Sequence, residues 1–398
     1  MVNEETPLLR ASVDSEQRRH QRLYTQRSLR FILTWILLIT LVSTAATDHL
    51  WSRSVISSVV IGVLLRLPLA LGFLLAVHGM YLRNRGLNPF DGDACRRDGG
   101  RFVSTADGRI VEYFCWGSDS KDATVTILCQ GQCLTGRSFN QFLYPQAVLE
   151  KLNVKAISPS FPGHGYSDMM PYRRIAHWPA DDLEPILAAE NVKKCMVQGM
   201  SYGTSHAMAT GAHFGPATCI AIGLNVPYLP KDVAREFEFR TYADMVLNDE
   251  WLQSPLISPI FSLLAMVWGF VTKVGNFIRE GKTVVSEDPS ILKALEDDIK
   301  RGAIRGVNGQ VFELLNGDTN QVWQDPRLIQ TKCICVWYAA DDSLSPPEHG
   351  KWLADHFRQK PGNIRCENIS WGHFSYGRKV DRDNGIMTKA LLELLASS

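Results

Sequence analysis

Net charge is almost absent from this sequence: 42 basic side chains stand against 41 acidic ones, for a formal charge of +1. So even a balance gives no electrostatic reason to expect nucleic acid as a partner. Metal-ligand spacing is missing as well. The nine cysteines are scattered, no Cys-x-x-Cys pair occurs, and no His/Cys cluster has zinc spacing. Neither a metal nor a cofactor is implied. Most of the cysteines, among them Cys129, Cys195, Cys219, Cys333 and Cys335, lie in apolar, strand-like runs, where cysteine acts as a small hydrophobe. That usage suits a reducing compartment better than a domain built on disulfides.

Charge is also missing in long patches near the amino terminus. Residues 1–30 are polar, carry Arg10, Arg18, Arg19, Arg22, Arg27 and Arg30, and lack core periodicity. They read as a disordered cytosolic tail. Phe31–Thr47 then runs 17 residues without a charge, the lower limit for a bilayer core about 30 Å thick. A second apolar run, Val55–Leu82, is long enough to span but is interrupted by Arg66 and Pro68. Proline is tolerated in membrane helices, whereas a mid-membrane arginine must snorkel or pair. A cleavable signal peptide fits poorly, because the basic lead is long and a second apolar run follows. Six arginines precede the first run, only Arg53 lies between the two, and Arg83, Arg85, Arg96, Arg97 and Arg101 follow. The bias places both flanks in the cytosol, around a two-span hairpin at 31–82, with 83–100 as a linker. If Arg66 splits the second run, a single span leaves the main domain lumenal. Glu4–Leu9, EETPLL, resembles an acidic dileucine sorting signal and points to a vacuolar or other endomembrane address.

From Arg101 the pattern changes to alternating strands and helices. RFVSTADGRIVEYFCWG reads as a hairpin turning at Ala106-Asp107-Gly108. Short apolar runs follow in ATVTILCQG, NVKAISPSFPG, VKKCMVQG, ATCIAIGLNVP, KCICVWYAADD and NIRCENIS. Helical stretches separate them. This is the pattern of a mostly parallel sheet flanked by helices on both faces. In such a sheet, ligands bind beyond the carboxyl ends of the strands. Gly131-Gln132, Ser201, Asp341-Asp342 and His373 all fall there.

Gly199-Met200-Ser201-Tyr202-Gly203 sits between an apolar strand and a helix. The glycines permit a tight turn in which the serine takes strained backbone angles and projects its hydroxyl. A glycine-flanked serine can also be no more than a helix N-cap. Its partners favour chemistry. A serine hydroxyl needs a base, and the base needs an acid to hold its tautomer. YAADDSLSPPEHG supplies the acid and SWGHFSYG the histidine, in the order Ser, acid, His.

Residues 101–398 resemble the α/β-hydrolase superfamily. The resemblance is carried by the Gly-x-Ser-x-Gly elbow; Ala339–Pro346, similar to G-x-x-D-x-x-x-P; Gly372-His373-Phe374; and Gln130–Phe139, similar to the family's oxyanion loop. Phe161–Asp168, FPGHGYSD, matches the loop after the fourth strand. Two positions depart from the pattern. Ala339 replaces a glycine, which keeps Asp341 as an alternative to Asp342, and Gln130 replaces the usual histidine. The resemblance implies Ser201 as nucleophile, His373 as base, Asp342 as acid, and the Gln132 and Tyr202 N–H groups as oxyanion donors. It also implies a helical cap at about 231–329, where no strand signal is clear. Within it Trp268 and Phe270 are candidates for an apolar substrate pocket, and Ser254–Thr272 reads as a greasy cap helix rather than a third span.

The other histidines divide. His164 lies beside the site as a substrate contact or a turn residue. His206 and His213 face neighbours on their own helix, and His349 and His356 sit on a surface helix. The expected activity is hydrolysis of hydrophobic or lipid-like carboxylic esters. An acyltransferase, a thioesterase, or a slow or non-catalytic ligand-binding protein would keep the same residues.

Overall fold

The computed structural model describes residues 89–170, 174–229, 289–306, 309–310, 313, 328–340, 342, 345–358, 364–369, 391–392 and 394–396. All of these belong to one compact unit made of Gly86–Val246 and Phe270–Ser398. The expected tail, both apolar runs, Trp268, Phe270, Asp341 and His373 lie outside the described residues. Among the described residues no helix is long and apolar enough to cross a membrane.

The expected strands are all present. Helix α1 (Gly92–Arg97) leads into the hairpin β1 (Arg101–Ser104) and β2 (Ile110–Gly117), then β3 (Thr124–Cys129). Helices α2 (Ser138–Leu143) and α3 (Gln146–Lys151) connect β3 to β4 (Val154–Pro159). A 3-10 turn (Ile175–His177), a π-helical turn (Pro179–Leu183) and α4 (Glu184–Ala189) precede β5 (Cys195–Met200). Then come α5 (Gly203–Phe214), β6 (Cys219–Asn225), α6 (Pro289–Gly302), β7 (Cys333–Ala339), α7 (Pro347–Arg358) and β8 (Ile364–Ile369).

The eight strands form one sheet in the order β1-β2-β4-β3-β5-β6-β7-β8. Strand β2 pairs antiparallel with both its neighbours, β1 and β4, and all pairings among β3 to β8 are parallel. Alternate residues of the central strands feed two cores. Ile127, Val197, Ile222 and Val336 pack with Ala207, Leu353 and Phe357 on one face. Leu128, Met196, Ala221 and Cys335 pack with Leu143, Leu149, Leu295 and Leu394 on the other. Every residue of β5 is buried, as expected for a parallel strand covered on both faces.

Helix α7 corrects one expectation. His349 is not on a surface face: it is fully buried, and its Nδ1 accepts the Leu229 N–H at 3.3 Å. The reason is helical periodicity. His349, Gly350, Leu353, Ala354 and Phe357 make one buried stripe. A Cβ at Gly350 would lie 2.3 Å from the Tyr338 Cβ, so that stripe lies flush on β7. His356 is partly exposed and stacks on Trp352 at 4.4 Å.

Candidate active site

The parallel strands deliver three of the expected residues to one edge of the sheet. Gln132 follows β3, Ser201 follows β5 and Asp342 follows β7. Ser201 has φ of +52°, a left-handed conformation that costs a non-glycine residue about 1 kcal/mol or more. The surroundings enforce it. The Ser201 N–H donates to the Asn225 carbonyl at 2.9 Å, and its own carbonyl accepts from the Thr204 N–H at 3.0 Å and hydroxyl at 2.6 Å. Met200 and Tyr202 on either side are buried, while Ser201 is partly exposed.

The two glycines of the elbow are there because backbone passes where side chains would be. A Cβ at Gly199 would sit 2.4 Å from the Gly203 carbonyl oxygen. One at Gly203 would sit 2.3 Å from the Cys129 oxygen and 2.5 Å from the Gln130 oxygen. The elbow is thus pressed against the end of β3. A Cβ at Gly131 would in turn lie 3.8 Å from the Ser201 Cβ, so the turn after β3 adjoins the serine. Tyr202 occupies the N-cap position of the twelve-residue helix α5, where backbone N–H groups and the positive end of the helix dipole favour negative charge.

Asp342 is buried, and its carboxylate accepts the Ser345 N–H at 2.7 Å. Gln130 is 1% exposed and neither atom of its carboxamide has a hydrogen-bond partner among the described residues. Burial pushes the thiols of Cys115 and Cys219 up to about 12 and raises that of Cys129 beside the site. These three thiols stay protonated at neutral pH and are poor nucleophiles.

His164 lies in the loop after β4. Its ring has no exposed atom and its Nε2 lies 3.4 Å from a Glu313 carboxylate oxygen. His206 is likewise buried. It stacks on Phe161 at 3.7 Å and meets Trp178 at 5.1 Å, contacts that reach well beyond its own helix. His213 pairs with Glu184 at 2.7 Å.

Sequence reasoning missed the anchors supplied by the insertion. Arg301 makes a bidentate pair with the fully buried Glu112, at 2.6 and 2.8 Å, and lies over the Phe114 and Tyr166 rings. Arg305 holds Asp168 at 2.6 Å and the Tyr166 carbonyl at 3.0 Å. Thr135 donates its hydroxyl to Asp298. A glutamate inside the apolar run IVEYFCWG was a usable signal, since a buried charge demands a partner. Nothing in the sequence singled out Arg301 as that partner.

The fold is shared with solved enzymes. A hydrolase from Pseudomonas aeruginosa PA01 is 16% identical, with a TM-score of 0.53 over 74% of this chain and 98% of its own. The enol-lactonase from Burkholderia xenovorans LB400 is 15% identical, with a TM-score of 0.56 over 74% of this chain and all (100%) of its own. An esterase from Rhodococcus sp. ECU1013 is 17% identical, with a TM-score of 0.52 over 75% and 100%. No family model and no curated protein matches the sequence. At these identities the likeness establishes the fold: the chain has the α/β-hydrolase fold.

Proposed function

We propose that this protein is a serine hydrolase that cleaves carboxylic esters through an acyl-enzyme. The observation that carries the reading is Ser201, held at φ +52° on a strand-to-helix turn whose glycines admit no side chain. A residue strained in this way, partly exposed at the carboxyl edge of a parallel sheet, has the form of an activated nucleophile. Ser201 Oγ attacks the ester carbonyl and its proton passes to His373. The tetrahedral oxyanion lies against the N–H groups of Gln132 and Tyr202, each worth about 3 kcal/mol in the transition state. His373 returns the proton to the departing alcohol. Water then repeats the attack on the acyl-enzyme, with His373 as base. Asp342 holds the imidazole in the tautomer that accepts from serine.

Several enzymes of similar fold are named as esterases or lactonases, which supports an acyl-oxygen bond as the target. A hydrophobic or lipid-like ester fits the two apolar runs before the domain and the apolar stretch 254–272. On this reading 31–82 is a membrane hairpin, the hydrolase domain faces the cytosol, and EETPLL directs the protein to an endomembrane.

The test is labelling with a fluorophosphonate, followed by an ester panel graded in acyl chain length. Wild type should label and Ser201→Ala should not, with the same circular dichroism. Equal labelling of the variant refutes the serine. Protease added to sealed vesicles checks the membrane side: a carboxy-terminal tag should be digested without detergent, and a protected tag moves the domain to the lumen.

A further inference from the structure

The turn that follows β3 is gripped by residues from far along the sequence, Glu313 foremost. Cys133 has φ of +66°, again the left-handed region that a non-glycine residue occupies only under restraint. Its N–H donates to a Glu313 carboxylate oxygen at 2.9 Å. The side-chain Nε2 of the preceding Gln132 donates to the Glu313 backbone carbonyl, also at 2.9 Å. Glu313 therefore grips the turn twice, through its carboxylate and through its main chain. The peptide joining 132 to 133 is fixed at its nitrogen, and residue 132 is fixed through its side chain. With the Cys133 N–H committed to Glu313, the Gln132 N–H is the neighbouring donor that serves the oxyanion.

Glu313 does not hang loosely over the site. It is 3% exposed, with His164 at 3.4 Å on the same oxygen. Its segment is pressed onto the catalytic loops with no room to slide. A Cβ at Gly309 would lie 2.5 Å from the Gly163 oxygen, and one at Gly302 would lie 3.0 Å from the Cys133 oxygen. Gln310 donates to that same Cys133 carbonyl at 3.4 Å.

We propose that Glu313, carried by the insertion, is a positioning residue that sets the oxyanion turn, so that the insertion governs the rate of the chemical step and not only access to it. The inference rests on the serine-hydrolase reading. A donor displaced from the oxyanion costs roughly a hundredfold or more in kcat, and substrate binding in the ground state is untouched. Glu313→Ala should therefore lower kcat of the full-length protein by about a hundredfold on a short-chain p-nitrophenyl ester. KM should stay within about twofold, because the lost interaction forms only in the transition state. Glu313→Gln keeps an oxygen acceptor for the Cys133 N–H and should recover most of kcat. Glu313→Asp keeps the charge beside His164 but withdraws the acceptor by one methylene. It should stay slow, and it decides the matter if the alanine variant does not fold. A kcat within threefold of wild type in a folded Ala or Asp variant overturns the proposal, as does a raised KM at unchanged kcat. Fluorophosphonate labelling run in parallel separates the two ideas. Label retained in Ser201→Ala refutes the hydrolase reading itself. Label lost there, with normal kcat in the folded Ala or Asp variant at 313, refutes only the role of Glu313.

Discussion

Two turns meet at Ser201 and they are held in opposite ways. The elbow at 199–203 is fixed from within the sheet: a Cβ at either glycine would lie 2.3–2.6 Å from backbone atoms, and the Ser201 N–H and carbonyl bond to the adjacent strand and to its own helix. The turn at 130–135 is fixed from without. Its restraints come from Asp298, Gln310 and Glu313, more than 160 residues later in the chain. The elbow leans on the sheet itself, at β3 and β6, and on the helix it opens. The neighbouring turn exists in its present form only when the insertion has docked. The Ser201 elbow and the turn beside it thus depend on different parts of the chain, and each can be damaged separately.

The largest effect should come from the elbow. In Gly203→Ala the added methyl meets two carbonyl oxygens, of Cys129 and Gln130, at 2.3 and 2.5 Å. Cys129 ends β3, where it is paired with β5, and Gln130 follows directly. Backbone cannot move aside as a side chain does, so a loss of at least about 3 kcal/mol is expected. Thermal unfolding should show it, and fluorophosphonate labelling should vanish with it. A stable, fully labelled Gly203→Ala protein would mean that the elbow tolerates what its geometry forbids.

This contrast also explains what could be read from the sequence. Ser201 and its glycines were legible because their restraint is local and leaves a five-residue signature. The strands were legible because burial on both faces writes continuous apolar runs such as VKKCMVQG. His349 was misplaced because a histidine between polar neighbours looks exposed until the helix is set against β7. Glu313 left no trace at all. One glutamate in a helical stretch is ordinary, and its function depends on which turn the folded insertion meets. Contacts at that separation are set by tertiary packing, which no local pattern encodes.

A smaller effect is expected from loosening the insertion. Arg301→Met leaves Glu112 fully buried without its cation, although the Ser160 hydroxyl at 2.7 Å and the Tyr166 N–H at 3.3 Å still donate to it. Breaking such a pair from one side costs about 3–5 kcal/mol, and the remaining donors favour the lower end. The outcome sharpens the comparison, since α6 carries both Arg301 and Asp298. At temperatures where the variant stays folded, kcat should fall through the 130–135 turn while the Ser201 elbow keeps its geometry. The double variant Glu112→Leu/Arg301→Met should regain much of the stability by removing the orphaned charge. If the single variant unfolds no earlier than wild type in a thermal melt, the insertion is not anchored here.

The smallest effect on activity belongs to a group outside both turns, and it serves as their control. Asp181 lies in the π-helical turn 179–183, beside Asp182, which pairs with Arg109 at 2.7 Å. Burial first, and the charge of Asp182 second, push the Asp181 carboxyl up from 3.8 to about 7. The unfolded chain loses this proton near pH 4 and the folded chain keeps it to about pH 7. Between those values the folded state binds more protons, so stability falls as pH rises. The contribution is complete below the unfolded value and gone above the folded one. Asp181→Asn removes the dependence. Its melting temperature should exceed that of wild type at pH 8 and should match it near pH 4. Ester hydrolysis by the variant should be unchanged at both ends, because neither turn is touched. A gain that is equal at pH 4 and pH 8 would trace the stabilisation to packing rather than to the buried charge. A loss of kcat would mean that the site depends on a third region, and that two turns do not suffice to describe it.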